Sequence, residues 1–213
     1  MSSAALPEPD RAANGPRPSY EVDRGQPCPE LFEAWLGDAG RDLDVADDAP
    51  GEAVGHAEGT RAFRDVLGRF ASGVTVVTAV HDGVPVGLTC QSFSSVSLDP
   101  PLVLFVPSQH SRAWPLIRET GAFCVNLLAA DQAWVSNTMA SKGVDKFAEV
   151  EWRPSSRTGS PVLAGTLGHV DCTVEAVHEA GDHDIVVGRV LTLAGEAPGD
   201  PLLFYRGRYR TTG

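Results

Sequence analysis

Lysine, cysteine and long apolar runs are all scarce in this sequence. Only two of its 17 basic residues are lysines, and the formal net charge is −11 at pH 7. A chain this acidic lacks the basic surface that neutralises phosphates in bulk, so nucleic acid is excluded as a partner. The four cysteines form no CxxC pair, which argues against a disulfide framework or a zinc site and is typical of reduced thiols.

The sequence also lacks the apolar segments that direct a chain to or across a membrane. No stretch is long enough to span a bilayer, and no apolar signal core follows the first residue. We therefore expect a cytoplasmic protein with no membrane partner.

The short motifs that mark the commonest nucleotide and catalytic sites are missing as well. The chain contains no GxGxxG or GxxxxGK[ST] loop, no GxSxG elbow and no HExxH pair. His169, Asp171 and Cys172 are close in sequence, but alternation along a strand places Cys172 on the opposite face from the other two. We predict no metal site.

Charge and proline divide the chain into two parts. Residues 1–58 contain 13 acidic and 4 basic residues and seven of the 16 prolines, whereas residues 59–213 contain 15 acidic and 13 basic residues. An acidic, proline-rich segment with little apolar periodicity cannot bury a core of its own. Residues 1–58 are therefore predicted to be a disordered extension, and residues 59–213 a single folded domain.

Within that domain, β-type segments outnumber helical ones. A helix over 60–70 is predicted from apolar residues at i, i+3, i+4 and i+7, with Thr60 as its N-cap. Two more helices are expected over 111–119 and 131–140. Strands are expected over 73–80, 84–89, 102–106, 122–128, 166–177, 184–194 and 202–209. Because β-α-β alternation is absent, we predict a mainly β fold: a six- to seven-stranded antiparallel barrel with peripheral helices.

A hydroxyl-rich segment lies between two of these apolar strands. Five of the nine residues from 89 to 97 are serine or threonine. Such a segment is either a surface loop satisfied by water, or a loop whose hydroxyls bind a polar, phosphorylated ligand. Composition alone leaves both interpretations open.

His183 is the histidine whose position raises most interest. It follows Gly181 and Asp182, directly before the strand expected over 184–194. Gly-Asp is typical of a polar hairpin tip that points into solvent. A functional role would require His183 to reach a ligand held by the 89–97 segment.

Taken together, these segments resemble the flavin reductase family with an FMN-binding split barrel. The resemblance rests on residues 70–78 (FASGVTVVT) and 87–103 (GLTCQSFSSVSLDPPLV), and it spans roughly residues 61–211. Further matches follow in order at 123–128 (FCVNLL), 146–147 (KF), 181–183 (GDH), 187–190 (VGRV) and 201–209 (PLLFYRGRY).

The resemblance implies a split barrel, usually a homodimer, that uses NADH or NADPH to reduce FMN or FAD. In many members the reduced flavin then passes to a separate monooxygenase component. Two alternatives stay open: a flavin- or haem-binding carrier of the same fold without turnover, and a self-contained flavin-dependent oxygenase.

The resemblance also assigns candidate site residues. Thr89 and Ser92 are expected at the flavin phosphate or ribityl chain, and Lys146, with Phe147, at the basic position near the phosphate. Gln91 and the backbone of 95–97 are expected at the ring edge, although many relatives have a small residue and Asn at positions 90 and 91. His183 is the candidate catalytic residue at the nicotinamide, and Tyr209 borders the same pocket. The full set of candidate cofactor-binding residues is Thr89, Cys90, Gln91, Ser92, Ser95, Val96, Ser97, Ser111, Lys146, Phe147 and Tyr209.

Overall fold

The computed structural model describes residues 56–142, 145–196 and 198–212. Most of the predicted extension over 1–58 lies outside these residues, so its disorder and the domain boundary stay predictions. The described helices are α1 (His56–Leu67), α2 (Ala113–Thr120) and α3 (Ala133–Ala140). No helix within these ranges is both long and apolar enough to cross a membrane.

The described strands are mostly antiparallel neighbours in one large sheet. Their bounds are β1 (Ser72–Gly73), β2 (Thr75–His81), β3 (Val84–Cys90), β4 (Ser94–Leu98), β5 (Pro101–Phe105), β6 (Ala122–Leu127), β7 (Trp152–Pro154), β8 (Pro161–Leu163), β9 (Gly168–Ala180), β10 (His183–Gly195), β11 (Leu203–Tyr205) and β12 (Arg208–Arg210). Seven of them form a sheet in the order β3-β2-β6-β9-β10-β5-β4. A three-stranded sheet, β1-β11-β12, and the β7-β8 pair complete the set.

The seven-stranded sheet curls around one of two buried clusters of the described residues. Its two edges are β3 and β4, and the chain crosses from one edge to the other through residues 91–93. Leu88 of β3 and Phe105 of β5 belong to the same buried cluster although they lie towards opposite edges, so the sheet must bend. Burial of large side chains such as Phe105 and Phe123 contributes roughly 1.5–3 kcal/mol each. The predicted antiparallel split barrel is confirmed.

Helix α2 covers the inside of this curved sheet. Its Trp114 and Ile117 are buried, and the Trp114 ring meets Phe105 edge-on with the centroids 5.7 Å apart. Phe105 in turn packs edge-on against Phe123 at 5.0 Å. Gly121 ends the helix in the left-handed conformation, φ +66°, as expected for a glycine C-cap.

Helix α3 packs on the outer face of the sheet over a second cluster that includes Val76, Met139 and Phe204. The approach is close at Gly87, where an added Cβ would lie 3.2 Å from Met139 Sδ and 3.3 Å from Phe147 Cζ. This packing places α3 and the residues after it beside β3, where the 89–97 segment begins.

Three local predictions differ from the structure. Thr60 lies inside α1, which already includes His56, and therefore does not cap it. The single strand expected over 202–209 is a hairpin of β11 and β12, since Arg206 and Gly207 have positive φ of 50° and 72°. The segment predicted to be a loop over 89–97 is mostly strand, because β4 pairs with β5.

Candidate functional site

The hydroxyl-rich segment divides into a buried half and an exposed half. Thr89 and Cys90 end β3, whereas β4 lies at the edge of the sheet and pairs only with β5. A bulge between Ser95 and Ser97 leaves Val96 out of the register, and Val96 is 48% exposed. The backbone of 95–97, which is expected at the ring edge, therefore lies on an exposed edge strand.

Strands β3 and β12 both contact Ser136 on α3. Thr89 Oγ1 donates a 2.6 Å hydrogen bond to the carbonyl of Ser136 on α3. Tyr209 Oη, from β12, lies 2.9 Å from Ser136 Oγ and 2.7 Å from Asn137 Oδ1. The structure thus brings Thr89 and Tyr209 together through two α3 residues that the sequence did not single out.

Lys146 lies beside the same part of β3. Its Nζ donates to the carbonyls of Gly87 at 3.2 Å and Met139 at 2.5 Å. Burial lowers the pKa of Lys146, and the positive charge of Arg112 lowers it further. Among the described residues, neither Lys146 nor Arg112 forms an ion pair with a carboxylate, so the two cations favour a bound anion.

Ser111 and Phe147, which are adjacent in sequence to Arg112 and Lys146, both have structural contacts. Ser111 Oγ accepts a hydrogen bond from Trp114 N at 3.3 Å and so caps the first turn of α2. The Phe147 ring packs edge-on against Trp152, with the centroids 6.3 Å apart. Arg112 was not among the predicted site residues; its sequence signal was only its position next to Ser111.

Ser92 and Cys90 turn towards β5 rather than outward. Ser92 Oγ accepts from Val106 N at 2.8 Å and donates to Val106 O at 3.2 Å, and Cys90 Sγ lies 3.0 Å away. Burial raises the pKa of the Cys90 thiol. These contacts tie the residues that follow β3 to Val106, which follows β5, and they engage the Ser92 hydroxyl, so a flavin contact by this side chain stays a prediction.

Gln91 has an unsatisfied amide. The side chain is 7% exposed and accepts a 3.4 Å hydrogen bond from Ser72 through Oε1. Its Nε2 is buried and has no partner among the described residues. An unpaired buried N–H group costs about 1–3 kcal/mol, which a ligand acceptor would remove.

His183 lies at the start of β10, in a hairpin tip as predicted. Gly181 has a φ of +70°, and the His183 ring directs Nδ1 at Asp182 Oδ1, 2.8 Å away. The side chain is only 12% exposed, and its Nε2 is buried without a partner in the described part of the chain. This tip is therefore packed against the protein and leaves one ring nitrogen available.

The segment between β5 and α2 contacts both the His183 hairpin tip and the region of Arg112 and Lys146. Ser108 forms an antiparallel bridge with His183, and four residues further on Arg112 lies near Lys146. One short connection thus contacts both the histidine and the cationic surface.

The metal candidates do not converge. Asp171 accepts hydrogen bonds from the backbone of Arg157 and Thr158, both 3.2 Å, whereas His169 Nδ1 lies 2.8 Å from Glu196. In the described ranges, no group of three or more histidine, cysteine, aspartate or glutamate side chains is placed to hold a metal ion.

A family model for the flavin reductase like domain matches residues 67–213. The chain belongs to the flavin reductase family. Reductase subunit HsaB of a flavin-dependent monooxygenase from Mycobacterium tuberculosis is 54% identical over 152 residues, which cover 70% of this chain and 80% of that protein. The resemblance inferred from the sequence is confirmed.

Solved structures of other flavin reductases have the same fold. Nitrilotriacetate monooxygenase component B from Mycobacterium thermoresistibile superposes with a TM-score of 0.73 at 51% identity, covering 75% of this chain and 89% of that one. The NADH:FAD oxidoreductase SgcE6 of Streptomyces globisporus, in complex with NAD and FAD fragments, gives 0.70 at 34% identity, covering 76% and 98%.

Proposed function

We propose that this protein is a flavin reductase that oxidises NADH, reduces FMN or FAD, and supplies the reduced flavin to a separate monooxygenase component. One observation carries the proposal: Lys146 and Arg112, which form no ion pair among the described residues, lie beside the carbonyls of Gly87 on β3 and Met139 on α3. Such a surface fits the phosphate of a flavin nucleotide. Its setting is a fold shared with reductase components of two-component oxygenases.

The residues present fit a flavin. We assign the phosphate to Arg112 and Lys146, and the polar ring edge to the free Nε2 of Gln91 and the backbone of 95–97. When bound, the flavin supplies the ring that accepts a hydride. The chain itself needs to bind, orient and exclude water, which is why the absence of a strong acid–base pair in the sequence suits this reaction.

His183 is proposed to bind the nicotinamide. Its Nδ1 is occupied by Asp182, so the ring presents Nε2, and that nitrogen is buried and unpartnered among the described residues. We propose NADH as the donor, and NADPH is the alternative that the same assay separates.

The contacts also suit a flavin that must leave. The proposed site contains neutral hydroxyls, one amide and two cations, and one of the cations, Arg112, is exposed. These groups form fewer strong charge-assisted hydrogen bonds than a cluster of buried arginines would. A reductase that delivers its product to another protein needs such moderate affinity.

The experiment is to mix the purified protein with NADH or NADPH and free FMN or FAD and follow absorbance at 340 nm. Steady loss is expected with NADH. No turnover would favour a carrier, and a flavin retained through gel filtration would favour a self-contained oxygenase.

His183→Ala should raise the KM for NADH more than it weakens flavin binding; lost flavin binding with unchanged NADH kinetics would refute the role of His183.

We also propose that the protein is a homodimer. The edge strand β4 presents Leu98 at 95% exposure and Val96 at 48%, which is unusual for a free surface. Light scattering should give twice the chain mass of 22.5 kDa. A monomer across micromolar concentrations would contradict the proposal.

A further inference from the structure

A buried carboxylate directly follows His183 and is not among the residues assigned to flavin or nicotinamide. Asp184 is 3% exposed. Its Oδ2 accepts a 2.7 Å hydrogen bond from Trp114 Nε1 on α2, and its Oδ1 accepts a 2.9 Å bond from Gln109 Nε2. Burial alone would raise the pKa of Asp184, but these two donors, with the nearby charges of Arg118 and His183, hold that pKa below its ordinary value.

The backbone on both sides of His183 is tied to the same segment. Residues 107–109 run antiparallel to residues 182–184. Two backbone hydrogen bonds, of 2.9 and 3.0 Å, flank His183 along this pairing. The connection between β5 and α2 therefore holds the hairpin tip through the backbone. The Asp184 carboxylate adds side-chain bonds, because it accepts from Gln109 on that connection and from Trp114 on α2.

We propose that Asp184, held by Gln109 and Trp114, is a positioning residue for His183. The carboxylate joins the strand that carries His183 to two other elements, so it sets where the imidazole stands before NADH arrives. A side chain held in place in advance loses less conformational entropy on binding. The inference rests on the proposed function, because it takes His183 as a nicotinamide contact.

Gln109→Ala is the cleanest test. Gln109 is exposed, so its truncation leaves the core closed; it removes one donor to Asp184 and also the 3.5 Å hydrogen bond from the same Nε2 to the backbone carbonyl of His183. Because Gln109 is exposed and Trp114 still donates to the carboxylate, this loss should raise the KM for NADH only about 3- to 10-fold, with little change in the KM for flavin. Asp184→Asn, which sets an amide N–H against one of the two donors, should raise it further.

The matched control is Glu175→Gln. It removes the bidentate pair between Glu175 and Arg189, at 2.7 and 2.8 Å. That pair joins β9 to β10, the two strands of the hairpin, at a distance from its tip. Both KM values should stay within about twofold of the parent, because exposed ion pairs contribute little to stability. An equal rise in the KM for NADH would mean that any weakening of the hairpin suffices, and would overturn a specific role for Asp184.

A double-mutant cycle separates this proposal from the proposed function. In a His183→Ala background, Gln109→Ala should add less than about twofold to the KM for NADH, because both changes act through one side chain. If the KM for NADH rises in His183→Ala but not in Gln109→Ala, the positioning role is overturned and the role of His183 stands. The same holds if the effects of the two substitutions on this KM are fully additive in the double variant. An unchanged KM in His183→Ala would overturn the role of His183 and the positioning role with it.

Discussion

Removing the Arg112 guanidinium is the sharpest test of the anion surface. Arg112 is exposed at the N-terminal end of α2, and its charge lowers the pKa of the half-buried Lys146. If the pair binds the flavin phosphate, Arg112→Ala should weaken FMN binding and leave the fold intact. Lys146 is a poorer target, because its ammonium also donates to the carbonyls of Gly87 and Met139.

The size of the effect follows from the exposure of Arg112. A hydrogen bond to a charged group is worth about 1.5–3 kcal/mol, and solvent screening at an exposed site reduces this to about 1–2 kcal/mol. The KM for FMN should therefore rise about 5- to 30-fold. Because the interaction is ionic, the rise should shrink as ionic strength increases.

Riboflavin provides the matched substrate, since it has the same ring system without the phosphate. Steady-state rates of NADH oxidation should show that Arg112→Ala loses the preference for FMN while its KM for riboflavin stays within about twofold of the parent. Equal losses with both flavins would refute a phosphate contact, because the variant would then have disturbed the ring site.

The same pair predicts a pH dependence. The lowered pKa of Lys146 means that its charge is lost at a lower pH than that of an ordinary lysine, so the preference for FMN over riboflavin should also decline at a lower pH than an ordinary lysine would give. Arg112→Ala removes the repelling charge, so whatever preference remains should persist to higher pH. A profile that does not move would show that Arg112 and Lys146 do not share a site.

Three further predictions concern the fold. Ser92→Ala leaves the partly buried backbone groups of Val106 unpaired, so denaturant unfolding should show a loss of about 1–3 kcal/mol in the free energy of unfolding, and a neutral result would refute a stabilising role for this link between the ends of β3 and β5. In Gly188→Ala the new Cβ would lie 2.4 Å from Phe123 Cζ, so the free energy of unfolding should fall by about 1–3 kcal/mol or more, and thermal unfolding should show a lower melting temperature. Burial raises the pKa of Cys172 to about 12, so mass spectrometry after iodoacetamide treatment at pH 8 should find this thiol unmodified until the protein unfolds.

The strand pattern of this chain was readable because β-branched and apolar runs are bounded by turn residues. Each predicted strand over 73–194 corresponds to a strand of the large sheet, within a few residues at its ends. Two predictions failed where pairing outweighs composition. The serines of β4 are poor strand formers individually, but their backbone pairs with β5, and the Arg206-Gly207 turn has no strong turn residue at its first position.

The candidate site was only partly readable. The resemblance pointed to Thr89, Lys146 and His183. In the structure Thr89 donates to the carbonyl of Ser136, Lys146 lies near a second cation, and His183 lies in a hairpin tip that is paired with the connection before α2. Arg112 and Asp184 carried no motif of their own. Their importance comes from proximity across the fold, between residues more than 30 and 65 positions apart, which neither spacing nor periodicity encodes.

The connection 107–112 explains how moderate flavin affinity is compatible with hydride transfer. Transfer between two bound rings depends on their relative position far more than on how tightly either is held. This connection pairs with the backbone around His183 at one end and ends in Arg112 beside Lys146 at the other. On the proposed assignments, the nicotinamide side and the phosphate side are therefore fixed to one another by the protein backbone. Tight binding of either substrate is not needed to align them, and reduced flavin remains free to leave.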